Sequence, residues 1–301
     1  MHCCSGVPRG DSASSNEVFA RVLFWIYDYP AWQMALLFTF GVAGFAVVGV
    51  LLFRRLFGAW LHRDDKVNEM VGFAMASFSM LYGLLLGLLA VAAYQGFADT
   101  SGLTDRESTV LATLYGATAA LPDPIGNELQ ADLRRYTRNV IDVSWPEQRR
   151  GVVPTEAGEI LESYLVRLHA FEPRSYREQN LQAEALGLAN ELVQIRRTRL
   201  LSVDGGIPEI LWWVVVTGAL INILLVWMLD MALATHVILS AMVGGFLGLV
   251  IFLVAAMDYP FRGEVSVGPD SFEFVYETIM ARDANNAGAA AIAATKPNAP
   301  D

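Results

Sequence analysis

The chain has 301 residues, of which 54% are hydrophobic and 17% charged, and its formal net charge is −10 at pH 7. Soluble domains carry about 25% charged residues, so the composition argues against an ordinary soluble domain. The acidic balance argues against a nucleic-acid partner. The two cysteines, Cys3 and Cys4, are adjacent, a spacing that predicts neither a structural disulfide nor a zinc site.

Four stretches almost without charged residues are long enough to cross a bilayer. A hydrocarbon core of ~30 Å requires ~20 residues of α-helix. Buried helices of this length in a soluble core would keep a polar stripe, which these stretches lack. We therefore predict an integral membrane protein, in contact with the lipid bilayer, with transmembrane helices at residues 32–53, 71–96, 208–229 and 236–257.

The segment between the second and third spans, residues 97–206, has the pattern of helices separated by prolines. A capping box that begins at Thr104 predicts the start of its first helix. Asp123 is predicted to cap the second helix, with Pro124 in the first helical position. This second helix is predicted to stop at Pro146, because proline disfavours a helix interior.

The last helix of this segment has one apolar face, in which residues recur at alternating spacings of four and three. That face consists of Leu181, Ala185, Leu188, Leu192 and Ile195. The predicted fold class is all-α, with four transmembrane helices and a helical bundle inserted between spans 2 and 3. The predicted domains are an N-terminal tail and interfacial segment (1–31), spans 1 and 2 (32–96), the bundle (97–206), spans 3 and 4 (207–257), a post-membrane turn and short segment (258–283) and a disordered tail (284–301).

The charges of the short links predict the orientation in the membrane. The link between spans 1 and 2 carries Arg54, Arg55, Arg63 and Lys66, whereas the link between spans 3 and 4 carries no Lys or Arg. Large domains cross the membrane largely regardless of charge, so the short links carry more weight. The first link is therefore predicted to be cytoplasmic, and the termini and the bundle periplasmic.

Small residues recur every three or four positions along span 2 and again in span 4, a pattern that lets helices approach closely in lipid. We interpret this seam as a helix-packing surface, within or between chains, and a pore lining is the alternative. The seam consists of Gly72, Ala76, Ser79, Gly83, Gly87, Ala90, Gly244 and Gly248.

Asn222 is the strongest polar residue deep in a span, and it either joins two helices by a hydrogen bond or contributes to a permeation path. No Asp, Glu, Lys or Arg lies deep in a predicted span, which argues against ion-coupled transport. The sequence has no zinc-binding helix motif, phosphate loop or nucleophile motif. We therefore predict no enzyme activity, no cofactor and no metal site.

Several stretches carry a family resemblance over roughly residues 35–272. They read NEMVGFAMASFSMLYGLLLGLLAVAAY, DRESTVLATLYGATAALP, RRYTRNVIDVSWP, IPEILWWVVVTGALIN and MDYPFRGEVSVGP. Together they resemble the bacterial and plant membrane family described as a bestrophin-like domain of unknown function. The most specific positions, to which the resemblance assigns no role, are Glu107, Trp145, Pro146, Asp258, Pro260, Phe261 and Gly263.

Bestrophins are pentameric anion channels with four spans per subunit, so the resemblance implies a homo-oligomeric, anion-permeable channel. Bestrophin pore necks use aromatic and Ile side chains of the second span, where this chain has its small-residue seam, and bestrophins keep both termini in the cytoplasm. The alternative hypothesis is a non-conducting membrane scaffold, sensor or assembly factor. In that case the bundle at 98–206 would bind a protein partner.

Overall fold

The structure is a computed structural model that describes residues 27–57, 65–203 and 206–283, and each regular element in these ranges is helical. The all-α prediction is confirmed. The tail predicted at 284–301, and most of the one at 1–31, lie outside the described residues. In chain order the helices are α1 (Ala31–Phe57), α2 (Asp65–Ala119), α3 (Ile125–Asn139), α4 (Trp145–Arg149), α5 (Glu156–Ala170), α6 (Tyr176–Leu201), α7 (Glu209–Trp227), α8 (Leu233–Asp258) and α9 (Asp270–Val275).

Helices α1, α2, α7 and α8 are long and apolar enough to cross a membrane, and they correspond to the four predicted spans. Helix α2 has 55 residues, against the ~20 that a bilayer requires, so it continues beyond the hydrocarbon. The prediction that a new helix begins at Thr104 is therefore wrong. The Thr104 hydroxyl donates to the Thr100 carbonyl at 3.0 Å, a bond that a threonine makes inside a continuing helix.

Two further helix boundaries differ from the prediction. Helix α3 begins at Ile125, with Pro124 rather than Asp123 in the cap position, and no side chain caps it. Pro146 does not end the helical path, because a π-helical turn at Val140–Ser144 leads directly into α4. The Trp145 N–H donates to the Val140 carbonyl five residues earlier, so the π turn ends directly before Pro146, which has no N–H to donate.

The chain divides into two compact units. The first consists of Met1–Gly87 and Ile207–Ala256 and contains α1, most of α8, helix α7 and the first part of α2. Its helices pack tightly where glycine allows. The Trp227 indole N–H donates to the Ala46 carbonyl at 2.8 Å, and a Cβ on Gly49 would lie 1.8 Å from the Trp227 ring.

The second unit consists of Leu88–Gly206 and Met257–Asp301, and its described part has an extended apolar core. Helix α3 contributes one buried face at spacings of four and three, and the predicted apolar face of α6 is buried or packed against the same core. Ser175 caps α6 by accepting a hydrogen bond from the Glu178 N–H at 3.2 Å. The α3 face consists of Leu129, Leu133 and Tyr136, and Val140 at the start of the π-helical turn continues it.

Candidate functional site

A buried ion pair lies at the centre of the second unit. The Arg199 Nε donates to Glu107 Oε2 at 2.6 Å and its Nη2 donates to Oε1 at 3.2 Å, so the contact is bidentate. The Tyr136 hydroxyl donates to the same Oε1 at 2.9 Å, and Arg199 Nη1 donates to the Gln148 Oε1 at 2.7 Å. The side chains of Arg199 and Glu107 are 1% and 0% exposed, so the pair is shielded from water.

Aromatic rings surround the guanidinium of Arg199. It lies over the Trp145 ring at 4.8 Å from the centroid and over Phe272 at 5.7 Å, distances at which cation–π attraction is effective. The Trp145 indole N–H donates to the Val267 carbonyl at 3.1 Å, and Phe261 meets the indole edge-on at 5.8 Å. The charge is thus enclosed by rings that are themselves held in place.

The electrostatics keep Arg199 charged. Burial alone would lower the pKa of Arg199, but the adjacent Glu107 carboxylate reverses this effect and raises the pKa above its usual value. Burial, together with the negative charge of Glu107, raises the pKa of the Tyr136 hydroxyl well above its usual range. The arrangement therefore holds helices α2, α3 and α6 together.

Within the described ranges, no group of three or more His, Cys, Asp or Glu could hold a metal ion.

The signature positions after span 4 form a tight turn. Asp258 is the last residue of α8 and is buried. The Pro260 carbonyl accepts a hydrogen bond from the Val267 N–H at 2.8 Å, and Phe261 is buried. Gly263 has a φ of +80°, a conformation that favours glycine. These residues therefore shape the loop that delivers Phe261 to Trp145.

The structure thus brings together three of the signature positions, Glu107, Trp145 and Phe261, around an arginine that the sequence reasoning missed. A signal for Arg199 was present. It continues the spacing of three and four set by Leu192 and Ile195, and so falls on the buried face of α6.

The glycines of the span 2 seam have no covering helix in the described part of a single chain, whereas Ser79 of the same seam contacts Asn222 of α7. A Cβ on Gly72, Gly83 or Gly87 would meet no atom within 4 Å. Ala76 is exposed, and Ala90 is half-buried. The surface of α2 that carries these residues is therefore open in one subunit.

The two seam positions of α8 behave differently, because they face α1 within the first unit. A Cβ on Gly248 would lie 2.3 Å from the Phe38 carbonyl oxygen. A Cβ on Gly244 would lie 2.9 Å from the Ala46 Cβ and 3.0 Å from the Val42 carbonyl oxygen. Both glycines therefore permit a close approach of the two backbones, which only the absence of a side chain allows.

Asn222 belongs to α7 and faces α2. Its Nδ2 donates to the Ser79 hydroxyl at 3.2 Å, and the Tyr82 hydroxyl nearby donates to the Val215 carbonyl at 2.7 Å. Gly218 makes room for this contact, since a Cβ there would lie 2.3 Å from the Tyr82 ring. The polar atoms of Asn222 and Ser79 thus meet each other within one chain.

Comparisons with known proteins address the family. A family model described as the Bestrophin-like domain matches residues 40–272. One structure of a bacterial bestrophin homologue from Klebsiella pneumoniae has a TM-score of 0.52 at 16% identity, covering 83% of this chain and 98% of that chain. Two variants of that homologue have TM-scores of 0.55 and 0.53 at 15% identity, covering 84% and 83% of this chain and 98% of theirs. A comparison with curated proteins gives no match.

At 15–16% identity the solved structures establish a shared fold and nothing finer. The family model covers most of the chain, from the middle of α1 to α9, and includes each signature position. The membrane-spanning character of four helices agrees with it. This integral membrane protein belongs to the bestrophin-like family.

Proposed function

We propose that this protein is one subunit of a homo-oligomeric, anion-permeable channel in the bacterial inner membrane. Membership of the bestrophin-like family supports a channel. The observation that carries the proposal is the open seam of α2, because a surface of this kind is left uncovered in one subunit and is closed when copies of α2 come together.

The glycines of the seam argue for a protein neighbour rather than lipid. A glycine inside a helix costs about 1 kcal/mol relative to alanine, and lipid tails gain nothing from it. The glycines of the first unit that contact another helix, such as Gly49 and Gly248, do so at very short range. A Cβ added at Gly72, Gly83 or Gly87, in contrast, meets no atom of the described part of the same chain within 4 Å.

The middle of α2 presents no charge barrier to anions. Between Glu69 and Asp99 the helix contains neither acidic nor basic residues, so a path along this part of α2 meets no carboxylate that repels an anion. A channel lined by several copies of α2 would therefore admit small anions.

We also propose that the bundle at 97–206 lies outside the bilayer between spans 2 and 3. The charges of the short links support a periplasmic position of the bundle and of both termini. A periplasmic reporter fused to the C-terminus is then active and a cytoplasmic reporter is inactive. The reverse pattern would contradict this orientation.

The proposal is tested by a pair of matched substitutions, Gly83→Leu and Gly41→Leu. Among the described residues of one chain, no atom lies within 4 Å of a Cβ added at either position, so both substitutions start from open surface. We expect Gly83→Leu to reduce the mass of the oligomer, measured by light scattering in detergent, and to reduce anion flux in liposomes. Gly41→Leu should leave both unchanged.

A wild-type protein that is monomeric, or that carries no anion flux, would contradict the proposal. So would a Gly83→Leu variant with unaltered mass and flux. Absence of flux from an intact oligomer would favour the scaffold hypothesis, in which the bundle binds a protein partner.

A further inference from the structure

The loop between α4 and α5 has a fixed shape that depends on Gly151. The Val152 N–H donates to the Glu147 carbonyl at 3.0 Å and the Gly151 N–H to the Gln148 carbonyl at 2.9 Å, which is a Schellman ending of α4. Gly151 has a φ of +74°, and a Cβ on it would lie 1.9 Å from Nη2 of Arg262. Glycine is therefore required at this position, and the residues on either side are held in one orientation.

This loop presents apolar and basic side chains together on its outer side. Val152 and Val153 are 51% and 45% exposed. Arg149 and Arg150 precede them and are exposed as well. Glu147 before the loop is half-buried and Glu156 after it is exposed, and the loop residues themselves carry two positive charges and no negative charge. We call Arg149, Arg150, Val152 and Val153 the Arg-Val loop.

The Arg-Val loop is hydrogen-bonded to the segment that directly follows span 4. The fourth span ends at Asp258. The Arg262 N–H donates to the Tyr259 carbonyl at 3.0 Å, a turn that keeps their Cα atoms within about 7 Å of each other. The Arg262 Nη2 in turn donates to the Arg150 carbonyl at 3.0 Å. A direct hydrogen bond thus ties the loop to the residues at which the chain leaves the membrane span.

We propose that the Arg-Val loop docks on the membrane surface and binds the phosphates of anionic lipid headgroups. Guanidinium groups bind phosphate oxygens in a bidentate manner, and basic side chains near an anionic leaflet are attracted to it. The two valines insert at the headgroup boundary, which removes their exposed apolar surface from water. The proposal is independent of ion conduction, because it concerns the position of the loop at the bilayer.

A two-fold contact with a second copy of the chain is a poorer fit to this surface. In a symmetric contact between two such loops, Arg149 and Arg150 of each copy would face the same two arginines, and like charges in contact are unfavourable. An anionic bilayer complements the arginines and also accepts the valines. The membrane therefore fits both properties of the loop.

The experiment uses the full chain with Cys3 and Cys4 replaced by serine, and a single new cysteine that carries an environment-sensitive fluorophore. The labelled position is Val152→Cys, and the matched control is Val166→Cys on α5, which replaces another exposed valine. Each protein is placed in nanodiscs of phosphatidylcholine, with or without phosphatidylglycerol. Lipids with a spin-labelled headgroup then quench any fluorophore that lies at the surface.

We expect quenching at position 152 to rise about twofold or more when phosphatidylglycerol is included, and to be weak at position 166 in both membranes. The substitutions Arg149→Gln and Arg150→Gln, added to Val152→Cys, should remove the dependence on phosphatidylglycerol. Absent quenching, equal quenching in the two membranes, or equal quenching at both positions would overturn the proposal. Energy transfer between labelled subunits without lipid quenching would overturn it in favour of a second copy.

Discussion

Two ion pairs connect α2 with α6 at nearly the same length and differ in burial, which makes them a matched test of what the buried pair contributes. Arg106 Nη2 lies 2.7 Å from Glu191 Oε1, and Arg199 Nε lies 2.6 Å from Glu107 Oε2. The side chains of the first pair are 65% and 38% exposed, and those of the second are 1% and 0% exposed. The perturbations are Glu107→Gln and Arg106→Gln.

Glu107→Gln keeps the shape of the side chain but leaves the Arg199 charge buried without a carboxylate. Breaking a buried pair in this way costs about 3–5 kcal/mol, whereas an exposed pair contributes about 0–1 kcal/mol. At about 2–4 °C per kcal/mol, Glu107→Gln should lower the midpoint of thermal unfolding by about 6–20 °C. Arg106→Gln should lower it by at most about 4 °C.

The assay is thermal unfolding of the purified protein in detergent, followed by loss of the intact peak in size-exclusion chromatography. A third variant, Glu107→Leu with Arg199→Met, removes both charges and should be less destabilised than Glu107→Gln alone. Equal midpoints for Glu107→Gln and Arg106→Gln would refute the reasoning. A double variant less stable than the single one would refute it as well.

Three further predictions follow from individual contacts. Burial raises the pKa of Tyr164 to about 12, so the folded state keeps a proton that the unfolded state releases above pH ~10. The contribution of Tyr164 to the free energy of unfolding should be fully present below pH 10 and fall by about 1.4 kcal/mol per pH unit towards pH 12. The thermal midpoint of Tyr164→Phe should therefore fall less steeply with pH than that of the wild type. Gly248→Ala should destabilise the protein because of its contact with a backbone carbonyl, whereas Gly245→Ala, whose nearest atom would be 3.6 Å away, should unfold at the same temperature or higher. Asn222→Leu should cost about 1 kcal/mol or less in thermal stability and leave liposome flux unchanged, and a large change in flux would instead place Asn222 on the permeation path.

The number and positions of the spans could be predicted because lipid permits long apolar helices and excludes charge from them. The length of α2 could not be predicted in the same way. Thr104 and Glu107 have the spacing of a capping box. The same sequence pattern also occurs inside a continuing helix, where the threonine hydroxyl bonds to the preceding turn. Local sequence does not separate these two cases, because the packing of α2 against the rest of the second unit decides between them.

The candidate site was predictable in part. Glu107 and Trp145 were singled out by the family resemblance, but neither residue alone identifies its partner. Arg199 is one of several arginines near the end of α6, and its burial depends on long-range packing against α2 and α4. The π turn before Pro146 also required the structure, since a proline after a helical run ordinarily predicts a helix end.

The most direct test of the central claim is anion flux through liposomes that contain protein without native cysteines and with Gly83→Cys or Gly41→Cys. The account predicts flux that depends on the protein, and severalfold inhibition when Gly83→Cys is modified with a bulky thiol reagent in detergent before reconstitution, because a group added there keeps copies of α2 apart. The same reagent should have no effect on Gly41→Cys, which lies on the exposed side of α1. Absence of flux, at a protein density at which a known channel conducts, would contradict the account, as would flux that modification at position 83 leaves unchanged.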